Sequence, residues 1–156
     1  MFDPKAHRNV LTRGLQANFK ALTDALRQVQ EGRPTLRRGP RAGDRLPDAR
    51  TTRDGQGCWL GEALAAPGFH LLLCGPPGDW HPSQLTALRH RYPDTLTVHY
   101  LTREATPGAL QDFDGQVFAR LGVDGTAQYL VRPDGHIGYR CGGDESDRRQ
   151  CEQSEA

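Results

Sequence analysis

Cysteine carries the most intrinsic chemistry in this chain, at Cys58, Cys74, Cys141 and Cys151. Thiol redox needs a low-pKa cysteine at a helix N-terminus, usually with a resolving partner two residues on. No CxxC pair occurs here. Cys74 closes the apolar run Phe69 to Cys74, and a thiol buried in such a run behaves as a small hydrophobe. The loop beyond it, Gly75 to Pro82, reads Gly-Pro-Pro-Gly-Asp-Trp-His-Pro and contains no cysteine. Cys58 and Cys151 have no recognisable base or resolving partner beside them. Met1 to Lys20 shows no secretory h-region, so the thiols are expected to be reduced and the chain cytoplasmic.

Other chemistries are weaker still. His70 and Cys74 share a face of the expected strand but sit too far apart to ligate one metal directly. His136 and Cys141 fall on opposite faces. Gly55 to Gly61 resembles a dinucleotide fingerprint, but its last glycine comes one residue late and no strong strand precedes it. No catalytic triad or carboxylate pair stands out from spacing. Asp79, Trp80 and His81 form the candidate ligand loop, because they follow the carboxyl end of the central strand, where open α/β sheets keep their sites. The simpler reading is that Trp80 packs the start of a helix and Asp79 caps it.

The 156 residues suit one domain, and the net charge of +1 gives no electrostatic case for nucleic acid or an anionic membrane. Arg33, Arg37, Arg38 and Arg41 cluster among prolines and glycines without an interleaved aromatic residue, which reads as a solvated linker. No apolar run approaches the ~20 residues that span a bilayer.

The elements that would position these groups follow from periodicity. Residues ~5–31 predict an amphipathic helix, with Leu11, Leu15, Phe19, Leu22 and Leu26 on one stripe. That stripe must dock on its own sheet, a second copy or a separate partner. Residues 32–47 read as a Pro/Gly/Arg linker. An edge strand is expected at 48–53, a short helix at 59–65, a buried central strand at 69–74 and a helix at 82–91. A second strand is expected at 96–101 and a helix at ~108–121. A hairpin turning at Pro133-Asp134-Gly135 closes the globular unit of 48–141. The polar tail 142–156 predicts disorder and leaves one sheet face uncovered. Alternating elements ending in a hairpin predict an α/β fold with a mixed sheet and flanking helices, the thioredoxin-like pattern.

Three segments also carry a family resemblance: Arg38 to Asp48, Pro67 to Gly75, and Tyr129 to Arg140. In this order they resemble the C-terminal thioredoxin-like domain of FAD-dependent aromatic monooxygenases, the phenol-hydroxylase and polyketide-hydroxylase group. In that family the domain packs against an FAD- and substrate-binding region, which these residues do not include, and can contribute to subunit association. The resemblance implies a non-catalytic accessory or oligomerisation module. It implies no cofactor bound by this chain alone, and FAD only where a partner supplies the binding region. The expected partner is a second copy or a flavin-monooxygenase-type protein. A detached subunit of an FAD-dependent hydroxylase is the first alternative, and a divergent thiol-redox protein the second. Against the latter, Ala127 stands where the redox fold keeps a cis-proline.

Overall fold

A computed structural model describes residues 19–21, 23–24, 38–80, 82–143 and 152–153. The elements are β1 (Arg50–Arg53), β2 (Gln56–Trp59), α1 (Leu60–Ala63), β3 (Phe69–Cys74), a 3-10 turn (Pro77–Asp79) and α2 (Pro82–Arg91). There follow β4 (Leu96–Thr102), β5 (Leu110–Gln111), α3 (Gln116–Leu121), β6 (Thr126–Val131), β7 (Ile137–Gly143) and β8 (Glu152–Gln153). All eight strands join one sheet in the order β2-β1-β5-β4-β3-β6-β7-β8. β3 pairs parallel with β4 and antiparallel with β6, so the sheet is mixed, as the late hairpin requires.

Strand alternation divides the core between the two faces. Phe69, Leu71 and Leu73 of β3 face α2, where they pack with Leu85, Leu88 and Leu130. Leu72 and Cys74 face α1 and α3, with Leu60, Val117, Phe118 and Leu121. Covering both faces is why β3 reads as a continuous apolar run. Burying a leucine-sized side chain is worth about 1.5–3 kcal/mol, so these two clusters are the main source of stability.

Several expectations need correction. The helix expected at ~108–121 is a strand followed by a helix of half that length. Leu110 is buried between β1 and β4, while Phe113 projects into solvent at 52% exposure. The cause is Asp112, whose carboxylate accepts from the backbone N–H groups of Val117 and Phe118 and starts the helix only at Gln116. β1 is also not an edge. Asp54 and Gly55 both take positive φ, and this tight turn makes residues 56–59 a further strand, so that of the helix expected at 59–65 only Trp59 falls in a strand and Leu60–Ala63 is helical.

Residues 38–47, expected as the end of a solvated linker, belong to the globular unit. Gly39 and Gly122 pass so close that a Cβ on Gly122 would lie 2.4 Å from the Arg38 carbonyl carbon. Arg140 is buried and donates to the Arg38 and Pro40 carbonyls, and Gly43 and Leu46 bond the hairpin backbone. In the tail, Glu152 and Gln153 pair with Arg140 and Tyr139, which corrects the expectation of disorder there. The sheet face beside α2 is not left open. Phe19, from a helical segment, is buried and stacks on Phe69 with ring centroids 6.1 Å apart. Leu11, Leu15, Leu22 and Leu26 lie outside the described residues.

Candidate functional site

The carboxyl end of β3 is where this topology would keep a redox loop. Cys74 is fully buried there. Burial pushes its thiol well above the ordinary range, Arg103 pulls it down by less, and Asp112 adds to the rise. The thiol is therefore protonated at neutral pH and poor as a nucleophile. Beyond it, Gly75 turns with φ +119, so close to the start of β6 that a Cβ there would lie 2.8 Å from Thr126 Cγ2. The loop and the segment before β6 thus meet, as in a redox site. The loop sequence contains no cysteine, and no cis peptide bond occurs among the described residues.

Of the candidate ligand loop, Trp80 is placed. It is 3% exposed and packs with Leu85 and Leu88. It holds the start of α2 on the sheet and is not presented to a ligand. The Asp79 side chain and His81 lie outside the described residues. Phe19, offered as an interaction residue, is spent on its own sheet.

The other cysteines divide. Cys58 is a free, half-buried thiol 3.2 Å from Thr51 Oγ1. Cys141 is buried and disulfide-bonded, which corrects the reading of uniformly reduced thiols. No group of metal-ligating side chains occurs among the described residues, and none of their helices is long and apolar enough to cross a membrane.

Sequence reasoning missed a chain of buried and half-buried polar groups below the α1 face. His70 Nδ1 lies 2.9 Å from His99 Nε2, His70 Nε2 lies 2.6 Å from the Ala66 carbonyl, and Arg53 Nη2 lies 3.2 Å from His99 Nδ1. The two rings stack at 5.2 Å. Burial, then His70, then Arg53 lower the pKa of His99 to about 4. What brings the two rings together is strand pairing, which local pattern does not reveal. Period-2 alternation puts His70 with Leu72, and the β3–β4 register sets His99 beside Leu72. Near this chain a cavity of about 290 Å³ opens between Asp48, Leu64, Ala65, Val131 and the hairpin tip at Arg132 to Gly135. Its polar walls are largely engaged: Arg132 forks onto Asp134, and Asp48 accepts from the Ala49 and Gly61 N–H groups.

No protein-family model and no curated protein matches the chain. Solved structures do. Aklavinone-11 hydroxylase, in a complex with FAD and aklavinone, superposes with a TM-score of 0.51 at 23% identity over 67% of this chain. The match spans only 18% of that hydroxylase. A thiol peroxidase from Chromobacterium violaceum superposes at 0.53, with 16% identity, 66% of this chain covered and 76% of the peroxidase. An uncharacterised conserved protein from Geobacillus kaustophilus superposes at 0.52, with 16% identity, over 73% of this chain and 75% of that one. The fold is thioredoxin-like. At these identities the likeness is one of fold, which hydroxylase and peroxidase structures share.

Proposed function

We propose that this chain is a non-catalytic thioredoxin-like module that acts by association, related to the C-terminal domain of FAD-dependent aromatic hydroxylases. The observation that carries the reading is the loop after β3, Gly75 to Trp80. It occupies the position of a redox site, yet its one adjacent thiol, Cys74, is buried and held protonated. A thioredoxin-like fold hosts several functions, so the site and not the fold decides between them. A chain of this class binds no cofactor by itself and works as a homo-oligomer or on a flavin-monooxygenase-type partner.

Two measurements test this. The purified chain is expected to reduce no insulin and turn over no peroxide beyond background. Turnover that vanishes in Cys74→Ser would make it a divergent thiol-redox protein, the reading that the fold of the thiol peroxidase supports. Light scattering and a pull-down with the host's flavin hydroxylases are expected to show a dimer or a stable complex. A strict monomer at high micromolar concentration that captures no such protein overturns the association reading. The fold likeness to aklavinone-11 hydroxylase supports a further version, a detached hydroxylase subunit. An FAD absorbance band in the complex, together with stimulated hydroxylation, would establish it.

A further inference from the structure

On one side the sheet ends at β2, whose outer edge is open. Gln56, Gly57 and Trp59 are exposed, and among the described residues no strand other than β1 pairs with β2. Charge, proline or a bulge normally guards such an edge. β2 reads Gln-Gly-Cys-Trp in unbroken register and carries none of them.

The hairpin register fixes which backbone groups face outward. Opposite residues of an antiparallel pair alternate between exchanging both bonds and exchanging none. Cys58 and Thr51 are a bonding pair. The Cys58 carbonyl turns inward and also accepts from Thr51 Oγ1, and two positions on, Leu60 donates to the Ala49 carbonyl. Gly57 and Trp59 lie between the bonding positions, so their N–H and C=O groups point to the open edge.

We propose that β2 is a self-association edge, where two copies of this chain pair antiparallel about Cys58 into one continuous sheet. The inference rests on the association reading above and names its surface. A two-fold axis at Cys58 sets Gly57 opposite the partner's Trp59 and Trp59 opposite the partner's Gly57. Each facing pair exchanges both bonds, so every outward group of the two residues is satisfied. No other axis does this. Centred on Gly57, it sets Trp59 against the turn at Gly55; centred on Trp59, it sets Gly57 against α1. The side chains also fit. Opposite residues share a face, so each indole lands over a glycine, the pairing by which an aromatic residue covers an edge glycine. Trp59 is 41% exposed and free to make that contact. Arg50 lies over its own Trp59 ring at 5.3 Å, and its Nη2 is 3.7 Å from where a Cβ on Gly57 would stand. An indole arriving over Gly57 therefore meets a cation as well. The two Cys58 residues face each other as a non-bonding pair. Their Cα atoms come about 4.5 Å apart, inside the span of a disulfide.

The test is made on the full chain under reducing conditions. Light scattering is expected to show a dimer that grows with concentration. Hydrogen exchange at the Gly57 and Trp59 amides is expected to slow as the dimer fills, while the Cys58 amide, bonded to β1, does not respond. Diamide takes two electrons and two protons from a pair of thiols. It is expected to join the dimer through a Cys58–Cys58 disulfide, located by peptide mapping. Gly57→Pro removes an outward N–H that the hairpin does not use. It is expected to weaken the dimer and slow the cross-link by about tenfold or more, with Tm held. Should that variant fail to fold, Trp59→Lys, which puts a charge on the same edge, takes its place. A dimer that persists unweakened in the folded variant, or one that leaves the Gly57 and Trp59 amides unprotected, overturns this edge and keeps the association reading, since another surface then joins the copies. A strict monomer that binds a flavin hydroxylase through β2 overturns the second copy as occupant. A strict monomer that binds no such protein overturns both.

Discussion

Cys74 shows how burial silences a thiol at the end of a central strand. Its side chain points into the cluster formed with Leu101 and Phe118, away from the loop that follows it. Arg103 lies over the Phe118 ring, 4.0 Å from its centroid, and donates to the Val123 and Asp124 carbonyls. Its charge acts on the thiol but is outweighed by burial. Iodoacetamide on the folded chain at pH 8 is therefore expected to modify half-buried Cys58 and leave Cys74 untouched until urea is added. Mass spectrometry that finds Cys74 modified as fast as Cys58 in native buffer contradicts this assignment. The inert thiol was legible in the sequence, because four apolar residues, Phe69 and Leu71 to Leu73, precede it in one run and predict burial. The histidine chain was not, since it depends on a register between strands that no local pattern reveals.

At the scale of elements, α3 is the informative case. A helix of six residues has no stability of its own in water and must be held by its surroundings. Its N-cap residue is Gly115, which offers no side chain, and the buried carboxylate of Asp112 takes that part from outside the helix. Asp112→Ala leaves two N–H groups unsatisfied and is expected to lose about 1–3 kcal/mol of stability in urea titration. Asp112→Asn, which keeps one acceptor, is expected to lose less; equal stability of all three chains counts against the capping role. The helix end was readable from Gly122. The start was not, because Leu110, Phe113 and Val117 happen to keep helical spacing while Leu110 serves a strand. Gly138 of β7 poses a similar problem of close approach. A Cβ there would lie 2.6 Å from Phe19 Cε2, so Gly138→Ala is expected to push the Phe19 ring off the sheet. The expected loss is about 1–3 kcal/mol, with faster exchange at Lys20 to Asp24 as its local signature.

At the scale of the whole molecule, the mixed sheet was legible from periodicity, since β3 reads as a buried central strand and the late hairpin adds antiparallel pairing, whereas the cover that Phe19 gives the face beside α2 was not. The chain's extent was less so. Residues 38–47 look like linker by composition, but Arg140 reaches their carbonyls from more than ninety positions away, a distance local reading cannot bridge. The same long-range assembly sets the response to acid. His99 has a folded pKa near 4 against an unfolded value of 6.5, so its contribution to stability is complete above 6.5 and is lost as pH falls toward 4. Between those values the unfolded chain binds more protons, and stability falls with pH at up to one proton's slope. The loss is at most about 3 kcal/mol, a substantial part of a small domain's total. A second fall begins lower. Arg132 bonds the Asp134 carboxylate and holds its pKa at about 2, so that contribution is lost below 3.8. Urea midpoints measured from pH 8 to 2 are therefore expected to decline in two steps. His99→Gln is expected to flatten the first step and leave the second, while Asp134→Asn does the reverse. A single step below pH 4 in the wild type would show that the histidines do not limit the acid stability of this fold.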